Sequence, residues 1–172
     1  MSWLSAEAEA VGGTHVLSTL RRHDLTPELD AVVKQGWRVV GGAVLLSAWY
    51  DSYHGDRSTF PHVMDHEVAV NGRGIPDLDL TEAQRERVPA LLRRGIAFSW
   101  SALHVQHQQL PDVEMSAYVS VSPALFDADY FTGNVTFCAV RHGERSYIAR
   151  EFLKDEIVVA IFTRDCVLDL GR

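Results

Sequence analysis

The chain has 172 residues, of which 47% are apolar and 23% are charged, a composition typical of an ordinary globular domain. Its 16 basic and 23 acidic residues give a net charge of -7, which argues against a protein that binds nucleic acid through its phosphates. No apolar run approaches the ~18 residues of a membrane span, and the first residues carry acid where a signal peptide carries base. We therefore expect one cytoplasmic domain without nucleic-acid or membrane partners, with Cys138 and Cys166 reduced.

The first part of the chain predicts helices. Residues 3–23 have near-helical apolar spacing, interrupted by a Gly-Gly pair. The Thr-Pro pair at 26–27 marks a helix start, because threonine caps free amides and proline suits the first helical position. Two interpretations of the following residues remain open. Either one helix continues to about residue 50, or the helix ends at Gly36 and a buried strand covers residues 37–50.

The middle of the chain is polar and then helical. Residues 51–79 are irregular and rich in turns, with one candidate strand over residues 62–70. A capping-box pattern at 81–84 predicts a helix that Gly95 ends. Pro89 within this segment predicts either a kink or a later helix start.

The last part of the chain predicts strands. Residues 96–105 are interpreted as a strand. Residues 113–122 alternate apolar and polar side chains, which predicts one buried face and one face in water. Further strands are predicted over residues 134–141, 145–153 and 156–167, and the short turns between them predict an antiparallel meander.

Residues 114–168 have the order of a strand, a proline-containing bend with acids and glycine, and three strands joined by two tight turns. The first of these turns contains RHGERS at 141–146, and the closing hairpin contains DEIVVA at 155–160. This order resembles the second half of hotdog-fold proteins, the superfamily of acyl-thioester hydrolases and hydroxyacyl-thioester dehydratases. The resemblance implies a sheet wrapped around a long central helix, which residues 27–50 would supply, and a possible homodimer. The dehydratase motif with His beside Asn-Pro is missing, so the resemblance implies a class and no catalytic residues.

Together these patterns predict an α+β domain over residues 1–172, in which an antiparallel sheet of about five or six strands packs on helix in a hotdog-like arrangement. The alternative is a cone-shaped sheet with N-terminal helices, as in the nuclear-transport-factor-2-like family of isomerases, dehydratases and cyclases. In both arrangements the ligand pocket lies between helix and sheet. Neither implies a metal or a redox cofactor.

The irregular segment holds the densest cluster of histidines and acids in the chain. His62 and His66 share a face in either a helix or a strand, and Asp65 or Glu67 is placed to orient one of them. Histidine titrates near neutrality, so such a pair suits general acid–base catalysis, and His54 is a further candidate. The alternative is a polar loop whose side chains are solvated or cap turns. The spacing does not follow the zinc-protease motif, and we expect no metal site.

Aromatic and basic side chains are candidates for substrate binding. The aromatic candidates are Trp49, Tyr53, Phe98 and Trp100. The alternative is that these residues belong to the hydrophobic core. Arg145 is the basic candidate, since arginine contacts phosphate groups of a coenzyme or carrier bidentately. The other arginines considered for this role are Arg93, Arg94, Arg141 and Arg150.

Two functions are compatible with these features. The favoured hypothesis is a small bacterial enzyme that hydrolyses, dehydrates or cyclises an acyl-thioester or polyketide-like intermediate, free or carrier-bound, by His/carboxylate chemistry without a cofactor. The alternative is a non-catalytic binding or immunity-type module whose acidic surface meets a basic partner. A closed apolar pocket lined by His62 or His66 would favour the enzyme. An exposed acidic patch over a filled interior would favour the binding module.

Overall fold

The structure is a computed structural model that describes residues 2–81, 84–144, 146–153 and 155–171. Its helices are α1 (Ala6–Ala10), α2 (Gly13–Thr19), α3 (Pro27–Gln35), α4 (Ser47–Asp51), α5 (Val63–Asn71) and α6 (Val88–Gln109). Its strands are β1 (Trp3–Leu4), β2 (Trp37–Val40), β3 (Ala43–Leu46), β4 (Gly72–Gly74), β5 (Met115–Ala124), β6 (Asp127–Ala139) and β7 (Ile157–Phe162). Short 3-10 turns lie at Arg22–Asp24, Arg57–Thr59, Gln84–Arg87, Arg150–Phe152 and Thr163–Asp165. None of the described helices is long and apolar enough to cross a membrane.

Strands from both ends of the chain form one antiparallel sheet in the order β1-β7-β5-β6-β4. The central strand is β5, where Val119 lies between Val135 of β6 and Val159 of β7. The long helix α6 packs on one face of this sheet and buries the main core against it. The predicted class, an α+β fold with an antiparallel sheet packed on helix, is confirmed.

The long helix comes from a different part of the chain than predicted. Residues 27–50 hold α3, the β2–β3 hairpin and α4, and residues 96–105, predicted as a strand, belong to α6. This helix is buried on most of its sides, so it lacks the one-sided apolar stripe that identifies a surface helix. Gly95 does not end it. A Cβ at Gly95 would come within 2.6 Å of the Ile75 and Val119 side chains, so the glycine permits close helix–sheet contact.

The sequence signals predicted for helix ends are confirmed for α3, and in part for α6. α3 begins at Pro27, and the Thr26 hydroxyl accepts a hydrogen bond from the Leu29 amide at 3.4 Å. α3 ends at Gly36, whose φ of 67° lies in the left-handed region that favours glycine. Pro89 lies in the first turn of α6, which confirms the later start predicted for that helix. Residues 82 and 83 of the capping-box pattern lie outside the described residues.

The hairpin after Gly36 is held to α6. The shorter-helix interpretation correctly places the end of α3, but two strands follow where one was predicted. The Trp37 backbone amide donates to the Gln109 side-chain oxygen at 2.8 Å, and the Trp37 indole donates to the Ala102 carbonyl at 2.8 Å. The small β2–β3 sheet is thereby fixed beside the main sheet.

The last strands do not form the predicted meander. β7 pairs with β5, so β5 separates β7 from β6. Residues 146–153, part of a predicted strand, contain a 3-10 turn and no strand. They pass over the outer face of the sheet, where Ile148 and Leu153 pack against Tyr118 and Val158. This path takes the chain to the other edge of β5.

The alternation predicted over residues 113–122 is present in β5, but its polar face is not all in water. Met115 and Val119 face α6 and are fully buried. Ser116 and Tyr118 face outward and are buried as well, because residues of α5 and of the 146–153 segment cover them. The sheet is therefore enclosed on both sides over the first half of β5.

Candidate functional site

α5 lies where the sequence offered a candidate strand, and it carries Glu67 into the interior. Glu67 is 0% exposed, and its carboxylate accepts hydrogen bonds from the Val44 amide at 2.8 Å and the Ala139 amide at 3.0 Å. Arg141 adds two charged contacts, at 2.9 and 2.6 Å. A carboxylate offers about four acceptor positions, and all four are used here. Glu67 therefore has no lone pair left to take a proton from a substrate.

Asn71, one helical turn later, bonds the same two strands. Its side chain accepts from the Leu46 amide at 3.0 Å and donates to the carbonyls of Val44 at 2.8 Å and Phe137 at 3.3 Å. Glu67, Asn71 and Arg141 thus form a clasp that joins β3 of the small sheet to β6 of the main sheet. Sequence reasoning did not single out Asn71, whose spacing of four residues from Glu67 on a helix was the available signal.

His66 lies in an aromatic environment. Its side chain is 1% exposed, with the Phe60 ring centroid at 5.6 Å and the Tyr53 ring centroid at 6.2 Å. Its Nδ1 has no hydrogen-bond partner within the described chain, and no bond joins it to Asp65 or Glu67 there. Burial, with the nearby Arg57 charge, lowers the pKa of His66 against a smaller opposing effect of Glu67. The ring is therefore held neutral.

The remaining site candidates are scattered. His54 and His62 are exposed, with His62 at the N-cap of α5, and Tyr53 is half-buried. Trp49 and Phe98 pack on each other in the core at 5.4 Å, and Trp100 donates its indole N–H to the Leu168 carbonyl. Arg145 lies outside the described residues. Within the described part of the chain, the structure does not bring the predicted acid–base and substrate-binding residues into one pocket, although Tyr53 lies beside His66.

Several arginines considered for phosphate binding already have acidic partners. Arg93 bonds Asp24 at 3.3 Å, Arg94 bonds Asp79 at 2.8 Å, and Arg141 bonds Glu67. Arg150 lies over the Trp3 ring at 5.8 Å. A phosphate group would have to displace a carboxylate from the first three.

A groove of about 760 Å³ lies between the outer sheet face and the 146–153 segment. Its lining includes Trp3, Asp65, Tyr118, Tyr147, Arg150 and Phe162. Burial raises the pKa of both tyrosines, and the neighbouring Cys138 thiol has a pKa of about 11, chiefly because it is buried. A thiol that stays protonated at neutral pH is a poor nucleophile. Cys138 is therefore not an activated nucleophile beside this groove.

A separate cavity of about 460 Å³ lies where β7 begins beside β5. Its lining is mostly apolar and includes Val11, Val88, Val121, Phe131, Leu153 and Ile157. Neither His62 nor His66 lines this cavity or the groove. No three His, Cys, Asp or Glu residues are close enough to hold a metal ion in the part of the chain that the structure describes.

The β5–β6 hairpin places two large apolar side chains in water. Leu125 is 96% exposed and Phe126 is 100% exposed at its tip. The neighbouring strands end before the tip, since β7 pairs with β5 only as far as Val121 and β4 pairs with β6 only as far as Asn134. The sequence interpretation placed only an acidic bend here. Two adjacent apolar residues between strand-like runs were the signal that was missed.

Comparisons of the chain with models of protein families, with curated proteins and with solved structures gave no match. The candidate sites are therefore interpreted from their own geometry.

Proposed function

We propose that this protein is a non-catalytic binding module that inserts the tip of its β5–β6 hairpin, Leu125 and Phe126, into an apolar pocket on a basic partner protein. The observation that carries the proposal is the almost complete exposure of these two adjacent side chains. A fully exposed phenylalanine gains about 1.5–3 kcal/mol when it is buried, so exposure without a partner forgoes this stabilisation.

The base of the hairpin is held by several side-chain contacts, which supports a docking role. The Arg87 guanidinium lies 4.2 Å from the Tyr130 ring centroid and bonds Asp77 at 2.7 Å. The Tyr130 hydroxyl also donates to Asp77, at 3.3 Å, and Phe131 is buried. A tip presented from a fixed base loses little conformational entropy on binding, which favours affinity.

The charge around the tip indicates the chemistry of the partner. Asp127 and Asp129 follow the tip directly and are exposed, without ion pairs to described basic residues. They add to a net charge of -7 for the chain. A second copy of this chain would bring like charges together, whereas a basic surface would attract these acids and accelerate association.

The binding function is tested by affinity capture from source cells, identification of the captured protein, and calorimetry with the two purified proteins. We expect a basic partner whose affinity falls by roughly 10- to 100-fold in Phe126→Ala, because each tenfold corresponds to about 1.4 kcal/mol. Replacing Asp127 and Asp129 by Asn should weaken binding mainly at low salt.

Leu168→Ala is the matched control, since Leu168 is also exposed, at 78%, but lies far along the chain from the hairpin. Its partner affinity and the melting temperatures of all these variants should stay near those of the unaltered protein. An acidic partner, or one that binds Phe126→Ala with unchanged affinity, would contradict the proposal.

An acyl-thioester enzyme is the second candidate, favoured by the presence of Asp65, Tyr147 and Arg150 in the lining of one groove. Its test is turnover of short-chain acyl-coenzyme A, with Asp65→Asn expected to abolish it. The binding module ranks first because Glu67 is fully bonded and His66 has no carboxylate bonded to it within the described chain.

A further inference from the structure

The 460 Å³ cavity is placed where the main sheet ends on one side. Val121 and Ile157 are the last residues paired between β5 and β7, and β5 continues beyond them. Val11, which follows α1, Val88 of α6 and Phe131 of β6 line the space beside the part of β5 that β7 does not pair with. The volume falls within the range of about 300–1,000 Å³ typical of small-molecule sites. The cavity is thus mostly apolar and large enough for a small ligand.

The rim of this cavity is acidic. Of its described charged residues, Glu7, Asp155 and Glu156 are negative and only Arg85 is positive. Glu7 is half-buried, and its carboxylate has neither a hydrogen bond nor an ion pair to another described residue. A carboxylate that loses part of its hydration beside apolar surface is stabilised by a nearby positive charge.

From this combination we propose that the cavity binds a small organic cation, a primary amine or guanidine on an apolar body, with Glu7 as its counterion. The apolar body lies among Val11, Val88 and Val121, and the cationic head lies at the rim. The hydroxyls of Ser120 and Ser122, which also line the cavity, are further acceptors for its N–H groups. The acidic rim repels carboxylates and phosphates. This site is independent of the hairpin docking function.

The test uses three probes with the same chain length and different charge: hexylamine, hexanol and hexanoate. Binding is followed by methyl chemical shifts of the valines and isoleucines, which report both the affinity and the location. We expect hexylamine to bind about tenfold more tightly than hexanol, because an opposite charge at a partly desolvated site contributes on the order of this factor. Hexanoate should bind most weakly, and the shifts should be largest for Val11, Val88, Val121 and Ile157.

Glu7→Gln should remove the preference of the protein for hexylamine over hexanol. Glu9→Gln is its matched control, since Glu9 is an exposed glutamate of the same helix that does not line the cavity. Phe126→Ala should leave hexylamine binding unchanged, which separates this site from docking. The proposal is overturned by absence of hexylamine binding at millimolar concentration, by equal or tighter hexanoate binding, by shifts elsewhere, or by retention of the preference in Glu7→Gln.

Discussion

Removal of the Glu67 side chain is expected to weaken the contact between the two sheets of this protein and to lower its stability. Glu67→Ala deprives two backbone amides, of Val44 and Ala139, of their acceptor, and it leaves Arg141 without its carboxylate. Each unsatisfied buried amide costs about 1–3 kcal/mol. The Arg141 side chain is 23% exposed and can turn toward water, which limits the cost of its lost partner. We therefore expect Glu67→Ala to lower the free energy of unfolding by about 3–5 kcal/mol, which is within the range found when one partner of a buried ion pair is removed.

The assay is urea unfolding followed by circular dichroism, with thermal unfolding in parallel. A loss of this size should lower the melting temperature by about 2–4 °C per kcal/mol in a chain of this length. Because domains are stable by only about 5–15 kcal/mol, the alanine variant could fail to fold, and Glu67→Gln is the milder test. It keeps one acceptor oxygen and should cost about 1–3 kcal/mol.

Glu151→Ala, at an exposed glutamate, is the control and should change stability by less than about 0.5 kcal/mol. If Glu67→Ala folds and loses less than about 1 kcal/mol, the clasp does not join the sheets as described, and the deduction that Glu67 is structural loses its basis.

Three further predictions concern the core, the buried histidine and the thiols. Phe137→Ala should lower the free energy of unfolding in urea by about 3–5 kcal/mol, because this fully buried ring contacts three other aromatic rings. Unchanged stability would contradict the register of β6. The lowered pKa of His66 means that the unfolded chain binds a proton more readily, so the unfolding free energy should fall as pH drops below about 6.5. His66→Phe should flatten this dependence between about pH 7.5 and about pH 5.5, whereas a slope equal to that of the unaltered protein would refute a buried neutral ring. Burial raises the pKa of Cys138 to about 11 and also raises that of Cys166. Thiol reagents should therefore modify both cysteines slowly in the native protein and rapidly in urea. Rapid labelling of the native protein would contradict their burial.

Sequence reasoning succeeded where a structural preference is local. The cap at Thr26 and Pro27 starts α3 because a side chain there satisfies amides within the next turn. The period-two alternation in residues 113–122 places β5, because successive side chains of any strand point to opposite faces. These signals act over a few residues and do not depend on what packs against them.

The long helix shows where local reasoning ends. Residues 96–105 are apolar enough to suit a strand, and only the elements packed around α6, which include the sheet, α2 and α3, account for their burial on several sides. Gly95 has the same ambiguity, since a glycine ends many helices but here gives Val119 and Ile75 room to approach. Burial by distant elements overrides intrinsic propensity, and one sequence does not reveal which elements will do so.

The candidate sites depend still more on tertiary structure. Composition and the patterns along the chain together predicted an acidic α+β protein with a dense His and acid segment. Glu67 was singled out there as a catalytic candidate, but its partners are 23, 72 and 74 residues away in the chain, and only the fold shows that they occupy all its lone pairs. Leu125 and Phe126 were not singled out in the sequence, and they lie in water because the strands beside their hairpin end earlier. Side-chain type is a property of the sequence, whereas the groups that meet each side chain are determined by long-range packing.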